Sequence, residues 1–431
     1  MKKIISAALI GIMTVSLTAC SSGTSNIIAS GLIKAAEYPK SISYEDYEAK
    51  NKQMTDNEVH EAFAKALEEF ASNSTAILLG GSDENVVYSP ISLYMALSVL
   101  ASGADGNTKE EIYKTMGLSG KDIDYLTEQT GKLYRRLYSE NEVGTLKIAN
   151  ALWLENKFPF HDDYVTKAAE KFYASIYNVD YKDEKTPELM KKWVSDNTNG
   201  LIEPDIQLSD DQVLTIMNTV YFKDRFRDVF NKELTQEDTF YLKDGSTTTV
   251  EFMNKTESAH SYVKTDEYIS TNLPLLNNGT ITFILPEEGI DVNELISDSE
   301  KVAQMFKNEN SSLADITFKV PKFNYGSNLD LVEMLNSLGM KDAFEESANF
   351  SQISEKSLFV SGIKQDTHII LDEEGVEAAA YTEISMEPTS MSPQNLEEID
   401  FHLDRPFIYG ITANDGTLLF VGVCNNPSSG K

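Results

Sequence analysis

The sequence contains little of what enzymes and metalloproteins use. It has 2 cysteines and 5 histidines among 431 residues, and the histidines are scattered, with no HExxH motif or paired ligand spacing. The sequence also lacks a GxSxG elbow, a phosphate-binding loop and a GxGxxG dinucleotide fingerprint. We therefore expect that the protein is not an enzyme and that it has no cofactor and no metal site.

Basic residues are scarce relative to acidic ones. The chain has 37 Lys and Arg against 68 Asp and Glu, which gives a formal net charge of −31. A surface this acidic repels nucleic acid and anionic membranes, favours encounter with basic proteins, and keeps the protein soluble. Because 41% of the residues are hydrophobic, the chain has enough apolar side chains for a large globular core.

The N-terminus carries a targeting segment. Lys2 and Lys3 precede an apolar run over residues 4–17, which is too short to span a membrane as a mature helix. The run ends in Leu-Thr-Ala-Cys and resembles a bacterial lipoprotein signal with Cys20 as the lipidated residue. This resemblance implies that residues 1–20 are a signal peptide and that acyl chains, worth ~0.8 kcal/mol per buried methylene, anchor the protein on the extracytoplasmic face of the membrane. The alternative is an ordinary cleaved secretory signal and an extracellular protein.

The rest of the chain is predicted to be a tether followed by one domain without disulfides. Cys424 is the only cysteine besides Cys20. If Cys20 carries lipid, Cys424 therefore has no cysteine in the chain with which to form a disulfide. Residues 21–56 are Ser-rich, then polar and aperiodic, a composition that predicts a flexible tether. The domain is predicted over residues 57–427, and the capping-box spacing at Thr55–Glu58 predicts the start of its first helix.

Several runs within the domain predict buried elements. Ser89 before Pro90 predicts an N-cap and a first-turn proline for a buried helix that ends near Gly103, and Thr108–Glu111 predicts another capping box. The apolar and β-branched run at 213–222 predicts a strand covered on both faces. Four further segments predict, in chain order, a strand, a strand with a proline irregularity, an amphipathic helix and a hairpin with an Asn-Asp-Gly turn: residues 146–154, 318–323, 329–344 and 406–424.

One stretch near the C-terminus differs from all of these. Residues 373–388, EEGVEAAAYTEISMEP, alternate small or apolar side chains with mostly polar ones, which is the period-two pattern of a half-buried strand. They open a segment that stays polar and acidic up to Phe401 and includes Pro388 and Pro393, too long for a plain loop in a compact domain. The pattern is consistent with a strand not yet paired, and also with a short Glu- and Ala-rich helix.

This stretch resembles the hinge of the reactive-centre loop in the serpin family. The matching residues are Glu373, Glu374, Gly375, Val376, Glu377, Ala378, Ala379 and Ala380. The runs NVVYSPISLYMALSVLASGADGNTKEEI and IANALW, the strand at 213–222 and the C-terminal hairpin also resemble the family, in its order, over about residues 57–427. The resemblance implies an α+β serpin fold in one domain, with three β-sheets, about eight or nine helices and an exposed reactive-centre loop over about 374–404.

The mechanism that this resemblance implies is suicide inhibition of a protease. The protease cleaves a bait bond, forms an acyl-enzyme, and is trapped when the cleaved loop inserts as a strand into the main sheet. The small side chains of Ala378–Ala380 suit entry between strands, and so does the uncharged Val376, where the family more often has threonine. The implied targets are secreted serine proteases, with cysteine proteases as a second class. The alternatives are a non-inhibitory serpin-fold surface binding protein and a solute-binding lipoprotein, which should lack the hinge and the hairpin.

The family's spacing also implies a cleaved bond. It falls fourteen residues beyond the hinge glycine, at Thr389–Ser390. Thr389 suits the shallow pocket of elastase-like or subtilisin-like proteases, and trypsin-like targets are not expected because residues 376–404 contain no Lys or Arg. The segment after this bond is several residues longer than in typical members, which leaves Met391–Ser392 and Met386–Glu387 as alternative bonds.

Four polar positions match a cluster that governs sheet opening in the family. Ser89, Ser92 and Asn218 correspond to members of that cluster. Gln365 stands where many members have histidine, which argues against a pH-sensitive opening.

Three further positions match the top of the family's main sheet. Lys322 and Glu373 correspond to an ion pair, worth about 0–1 kcal/mol if exposed, although two unrelated solvated charges would look the same in sequence. Phe226 stands where a tryptophan is usual. We expect a monomer whose partners are a secreted endopeptidase and, through the anchor at Cys20, a membrane.

Overall fold

The computed structural model describes residues 31–209, 211–307, 309–377 and 396–429. These residues form ten α-helices and seventeen strands, interleaved along the chain. The helices are α1 Tyr47–Asp56, α2 Glu61–Leu79, α3 Pro90–Ala101, α4 Gly106–Thr115, α5 Ile123–Leu137, α6 Asp162–Lys171, α7 Thr186–Asn197, α8 Val292–Ile296, α9 Ser299–Met305 and α10 Val332–Ser337. The strands are β1 Leu32–Lys34, β2 Val86–Tyr88, β3 Ser139–Glu140, β4 Thr145–Glu155, β5 Ala174–Val179, β6 Leu214–Arg225, β7 Gln236–Tyr241, β8 Thr247–Lys264, β9 Tyr268–Pro274, β10 Thr280–Pro286, β11 Ser312–Pro321, β12 Phe323–Asp330, β13 Lys364–Asp372, β14 Gly375–Val376, β15 Glu397–His402, β16 Phe407–Thr412 and β17 Leu418–Cys424.

The first sheet has eight strands and contains the predicted hinge. Its order is β1-β5-β4-β6-β14-β13-β12, with β3 paired to β4. The central strand β6 pairs antiparallel with β4 from Leu214↔Leu154 to Lys223↔Thr145, as its apolar and β-branched sequence predicts. The two-residue strand β14 lies between β6 and β13.

The second sheet has nine strands, in the order β15-β11-β8-β9-β10-β16-β17-β2 with β7 paired to β8. Its strand β8 is 18 residues long and pairs with β7, β11 and β9. Because β8 is continuous, the described residues form two sheets, where the family resemblance implies three. They form ten α-helices, where the resemblance implies eight or nine. The α+β fold class and the C-terminal hairpin, β16 with β17, are confirmed.

The main hydrophobic core includes side chains from both sheets and from α3. Ser89 caps this helix, its side chain accepting from the Ser92 N–H, and nearly every residue from Pro90 to the end of the helix is buried. The helix contacts both β6 and β17. Phe222 of the first sheet packs against Phe420 of the second, with ring centroids 6.2 Å apart.

A second apolar cluster includes β4 and α7. Trp153 of β4 and Trp193 of α7 are both buried in this cluster, and α7 also contacts β6. The connection from α7 to β6 therefore starts close to the strands that flank the hinge.

The segment before the domain is packed against it from Gly31 onward. Strand β1 pairs with β5 at one edge of the first sheet, and Tyr38 stacks on Tyr138 with ring centroids 5.9 Å apart. This differs from the flexible tether predicted over 21–56, because a strand can add to a sheet edge through main-chain hydrogen bonds that need no apolar periodicity, and side chains such as Tyr38 then pack on the domain.

Two predicted helix starts are wrong. Thr55 lies inside α1, and α2 begins after His60. Thr108 lies inside α4, which is capped by the side chain of Asp105. At Thr55 the S/T-x-x-E spacing straddles the end of α1, and at Thr108 it falls within α4, whose cap is Asp105. The predicted helix at 329–344 is also shorter in the structure, where only α10 is α-helical.

Candidate functional site

The predicted hinge forms a short strand in the middle of the first sheet. Gly375 and Val376 pair antiparallel with β13 on one side and with β6 on the other, and the Glu377 N–H donates to the Ile370 carbonyl at 3.1 Å. Val376 is buried, with 3% of its surface exposed. The alternating pattern thus starts as a strand, as predicted, while Ala378–Ala380 lie outside the described residues.

The sheet has a gap beside Val376. In its described part, the halves on either side of the gap are joined through β14. A small cavity of about 10 Å³, room for about one water molecule, is lined by Val220 and Phe222 of β6, Ile369 of β13, Val376 itself and Phe420 of the second sheet. A longer strand would enter the sheet here, between β6 and β13.

The close approach of two backbones requires glycine at position 375. Its φ is +147°, a conformation that side chains disfavour. A Cβ atom there would lie 2.3 Å from the Asp224 carbonyl oxygen and 2.8 Å from the Arg225 Cα. The hinge glycine is therefore what allows β14 to lie against β6.

Two carboxylates anchor the residues just before β14. Glu373 accepts from the Thr235 hydroxyl at 2.8 Å and lies 3.3 Å from the Lys322 ammonium. Burial raises the pKa of Glu373, but hydrogen bonds, including those from Thr235 and Lys322, outweigh it and hold the pKa below its usual value. Glu374 lies 3.2 Å from Lys232. The predicted contact between Lys322 and Glu373 is therefore present.

Phe226 packs beside the main chain of the hinge. Its side chain is fully buried and contacts Phe230, with ring centroids 5.4 Å apart. The Phe226 N–H donates to the Glu374 carbonyl at 2.9 Å, and the Phe230 N–H donates to the Glu373 carbonyl at 3.0 Å. Phe226, at the position where the family has a tryptophan, thus lies at the end of the gap where β14 enters the sheet.

The predicted polar cluster forms two hydrogen-bonded groups at the start of α3. The Ser92 hydroxyl donates to Asn218 Oδ1, and Asn218 Nδ2 donates to Asn150 Oδ1 at 2.6 Å. Gln365 makes two bonds with the Ser89 main chain: its Oε1 accepts from the Ser89 N–H at 2.8 Å, and its Nε2 donates to the Ser89 carbonyl at 2.9 Å. Since Asn218 is on β6 and Gln365 on β13, the start of α3 is bonded to both sides of the gap.

Sequence reasoning missed two residues of this site. Asn150 is a buried polar residue in the apolar middle of β4, and a lone asparagine within IANALW was its only signal. Asp224 is fully buried beside β14, where its carboxylate accepts main-chain N–H groups of Asn277 and Asn278, the latter at 2.6 Å. No spacing in the sequence indicates that contact, because the loop lies more than fifty residues away.

Asp224 should make the native state less stable as the pH rises from about 4 to about 7. Burial raises its pKa from 3.8 to about 7, while the N–H donors and Lys50 act in the opposite direction. The native state then holds a proton that the unfolded chain has released, so stability is greatest below this range and is lost as the pH rises through about 7. We expect Asp224→Asn to flatten the fall in the thermal unfolding midpoint over this range, whereas the exposed Asp228→Asn should not. An unchanged slope for Asp224→Asn would contradict this assignment.

Several predicted residues lie outside the described part of the chain. These are the candidate bonds Thr389–Ser390, Met391–Ser392 and Met386–Glu387, and the lipidation residue Cys20. Cys424 is buried and is not in a disulfide. Among the described residues, no group of three or more His, Cys, Asp or Glu side chains is placed to hold a metal ion, and none of the described helices combines the length and apolarity needed to cross a membrane.

Comparison with known proteins agrees with the fold. The family model for serpin (serine protease inhibitor) matches residues 17–427. An uncharacterized serpin-like protein of Methanosarcina acetivorans is 29% identical over 369 residues, which cover 82% of this chain and 84% of the relative. Human serpin B3 is 28% identical over 372 residues, which cover 80% of this chain and 94% of serpin B3.

Solved structures give the same result. The thermophilic serpin tengpin in its native state matches with a TM-score of 0.74 and 29% identity, covering 91% of this chain and 97% of that one. Tengpin in its latent state matches with a TM-score of 0.72 and 27% identity, and the match covers 85% of this chain and 98% of the tengpin chain. Serpins are in general protease inhibitors and not enzymes, as the sequence predicts. With this fold, these relatives and a family model that matches nearly its whole length, the chain belongs to the serpin family.

Proposed function

We propose that this protein inhibits secreted serine proteases, with cysteine proteases as a second class, by trapping them covalently after its loop is cleaved. The observation that carries the proposal is β14, two residues that enter the first sheet between β6 and β13. A cleaved loop that continued from Val376 would extend this strand along both neighbours. The acyl-linked protease would move with the loop before hydrolysis is complete.

Insertion would lower the free energy of the protein, but the uncut chain would reach the inserted state only slowly. Residues Leu214 to Asn218 of β6 are only half-buried although the strand is central, so they offer a surface for another strand. Each new main-chain hydrogen bond contributes about 0.5–1.5 kcal/mol, and burying Ile384 or Met386 contributes about 1.5–3 kcal/mol for each side chain. Because the uncut loop is connected at both ends, the native state would be held kinetically until cleavage.

We propose Thr389–Ser390 as the cleaved bond and an elastase-like or subtilisin-like protease as the target. The position of this bond follows from the family's spacing, which places it fourteen residues beyond the hinge glycine. Thr389 is small and β-branched and therefore fits a shallow specificity pocket. The absence of Lys and Arg from residues 376–404 argues against a trypsin-like target, whose pocket requires a basic side chain. The long acidic segment around the bond also favours a basic protease surface.

The test is to mix the chain from residue 21 onward with subtilisin, an elastase and trypsin. The samples are run on a denaturing gel, and the released C-terminal peptide is weighed by mass spectrometry. We expect a band at the summed mass with subtilisin or elastase but not with trypsin, and a peptide that begins at Ser390. A peptide that begins at Ser392 or Glu387 would instead assign the cleaved bond to Met391–Ser392 or Met386–Glu387. Clean cleavage with no such band for any protease would favour a non-inhibitory serpin-fold binding protein.

We also propose that the protein is exported and anchored by lipid at Cys20. The support is the apolar run that ends in Leu-Thr-Ala-Cys. In a bacterial host, we expect the wild type to fractionate with membranes and Cys20→Ser to lose this association. Cys424→Ala, which changes the other cysteine, should remain with the membranes. Equal membrane association of wild type and Cys20→Ser would rule out the anchor.

A further inference from the structure

The residue that follows β14 is held by its side chain. Glu377 Oε1 accepts a hydrogen bond from the Tyr221 hydroxyl of β6 at 3.0 Å and from Asn199 Nδ2 at 3.5 Å. Burial raises the pKa of Glu377, while Tyr221, Asn199 and Lys223 act in the opposite direction. Within the described part of the chain, the second carboxylate oxygen of Glu377 is buried without a hydrogen-bond partner. The position of this carboxylate therefore depends on Tyr221 and Asn199.

The backbone of Glu377 ends the strand at this point. Its φ is +48°, in the left-handed region that residues other than glycine, asparagine and aspartate rarely adopt, whereas a strand needs an extended φ. Val376 pairs with Asp224, so continuing the same register would place Glu377 opposite Lys223. Growth of β14 thus requires Glu377 to change its backbone conformation, and this change moves its carboxylate from its present position beside the Tyr221 hydroxyl.

Asn199 connects this contact to the segment that lies over the gap. It belongs to the connection between α7 and β6, whose residues Thr198, Leu201 and Ile202 line the cavity beside Val376. Asn199 itself has a left-handed φ of +52°. The side chain of Glu377 therefore contacts both the strand at the edge of the gap and the segment that covers the gap.

We propose that Glu377, held by Tyr221 and Asn199, is a stop that keeps the hinge at two inserted residues until the loop is cut. This inference rests on the proposed function, because a stop matters only if the loop inserts. Tyr221 is then a positioning residue whose hydroxyl stabilises the two-residue state and not the barrier that follows it. Removing the hydroxyl raises the free energy of that state alone and speeds departure from it.

The test uses the full chain with Tyr221→Phe and Glu377→Ala. The matched control is Tyr181→Phe, because the Tyr181 hydroxyl donates to Thr215, at the opposite end of β6, at 2.7 Å. Hydrogen exchange of the Val376 and Glu377 amides is followed by mass spectrometry. On warming, the uncut protein is also assayed for conversion to a form whose loop resists proteolysis. We expect Tyr221→Phe and Glu377→Ala to increase both rates about tenfold, and Tyr181→Phe to leave hinge exchange at the wild-type rate.

The outcomes separate the stop from the proposed function, because hydrogen exchange needs no protease. Wild-type exchange in both Tyr221→Phe and Glu377→Ala would overturn the stop even if the wild type traps proteases. Equal acceleration by Tyr181→Phe would also overturn it, since the effect would then belong to the whole sheet. Faster exchange in the two hinge variants alone supports a restraint on the hinge, and a wild type that traps no protease would then remove only the proposed function.

Discussion

Val376→Arg should turn the proposed inhibitor into a substrate. Val376 is buried between β6 and β13, over apolar side chains that include Val220, Ile369 and Phe420. An arginine there would place a charge among these side chains, which costs several kcal/mol unless the charge is paired. Insertion would stall, and the protease would complete hydrolysis and leave. Since ~1.4 kcal/mol is a factor of ten in rate, we expect the amount of inhibitor consumed per trapped protease to rise more than about tenfold.

The control for this result is Val376→Thr. Threonine is β-branched and uncharged, nearly the same size as valine, and more usual at this position in the family that the hinge resembles. We expect Val376→Thr to trap protease at close to the wild-type stoichiometry, measured by titration of a calibrated protease. Trapping by Val376→Arg at the wild-type stoichiometry would mean that this residue does not need to be buried in the sheet for trapping.

Gly375→Ala should displace β14 from the sheet while leaving the rest of the fold in place. The added Cβ would meet the Asp224 carbonyl oxygen at 2.3 Å. The Cβ is held rigidly by the Cα and the oxygen belongs to the main chain, so neither atom can rotate away. Backbone strain of this kind costs about 1–3 kcal/mol. We expect exchange of the Glu377 amide, which donates to Ile370, to rise between about tenfold and a hundredfold.

Gly362→Ala is the matched control for this glycine. A Cβ atom at Gly362 would meet nothing within 4 Å, so the substitution adds the same methyl group without the overlap. Its hinge amides should exchange at the wild-type rate. Exchange of the Glu377 amide at the wild-type rate in Gly375→Ala would contradict the close approach of β14 to β6.

Local patterns in the sequence predict much of the fold. The β-branched run that forms β6, the capped start of α3 and the Asn-Asp-Gly hairpin all depend on neighbours in sequence, so propensity and periodicity are sufficient there. The alternation after Gly375 predicts a strand, of which Val376 lies in β14, while residues 378–388 lie outside the described part of the chain. The predicted capping boxes failed because the same spacing occurs at Thr55, where α1 ends, and at Thr108, inside α4.

The parts of the site that could not be predicted depend on contacts between distant segments. Asp224 is buried because the main chain at Asn277 and Asn278 supplies its hydrogen bonds, and Tyr221 meets Glu377 only because β14 lies beside β6. The ordered segment before α2 has little apolar periodicity, and it is held by edge pairing with β5. Resemblance to the serpin family indicated Ser89, Ser92, Asn218 and Gln365 but not Asn150, the partner of Asn218 on β4.

The measurement that tests the central claim most directly compares the thermal unfolding of cut and uncut protein. The loop is cut within residues 378–395, and the sample is freed of protease before heating. If the cut loop fills the gap between β6 and β13, it adds a strand with hydrogen bonds on both sides. The unfolding midpoint should then rise by at least about 10 °C, and Val376→Arg should show a smaller rise. A cut protein that unfolds at or below the midpoint of the uncut protein would contradict insertion, and with it the trapping mechanism.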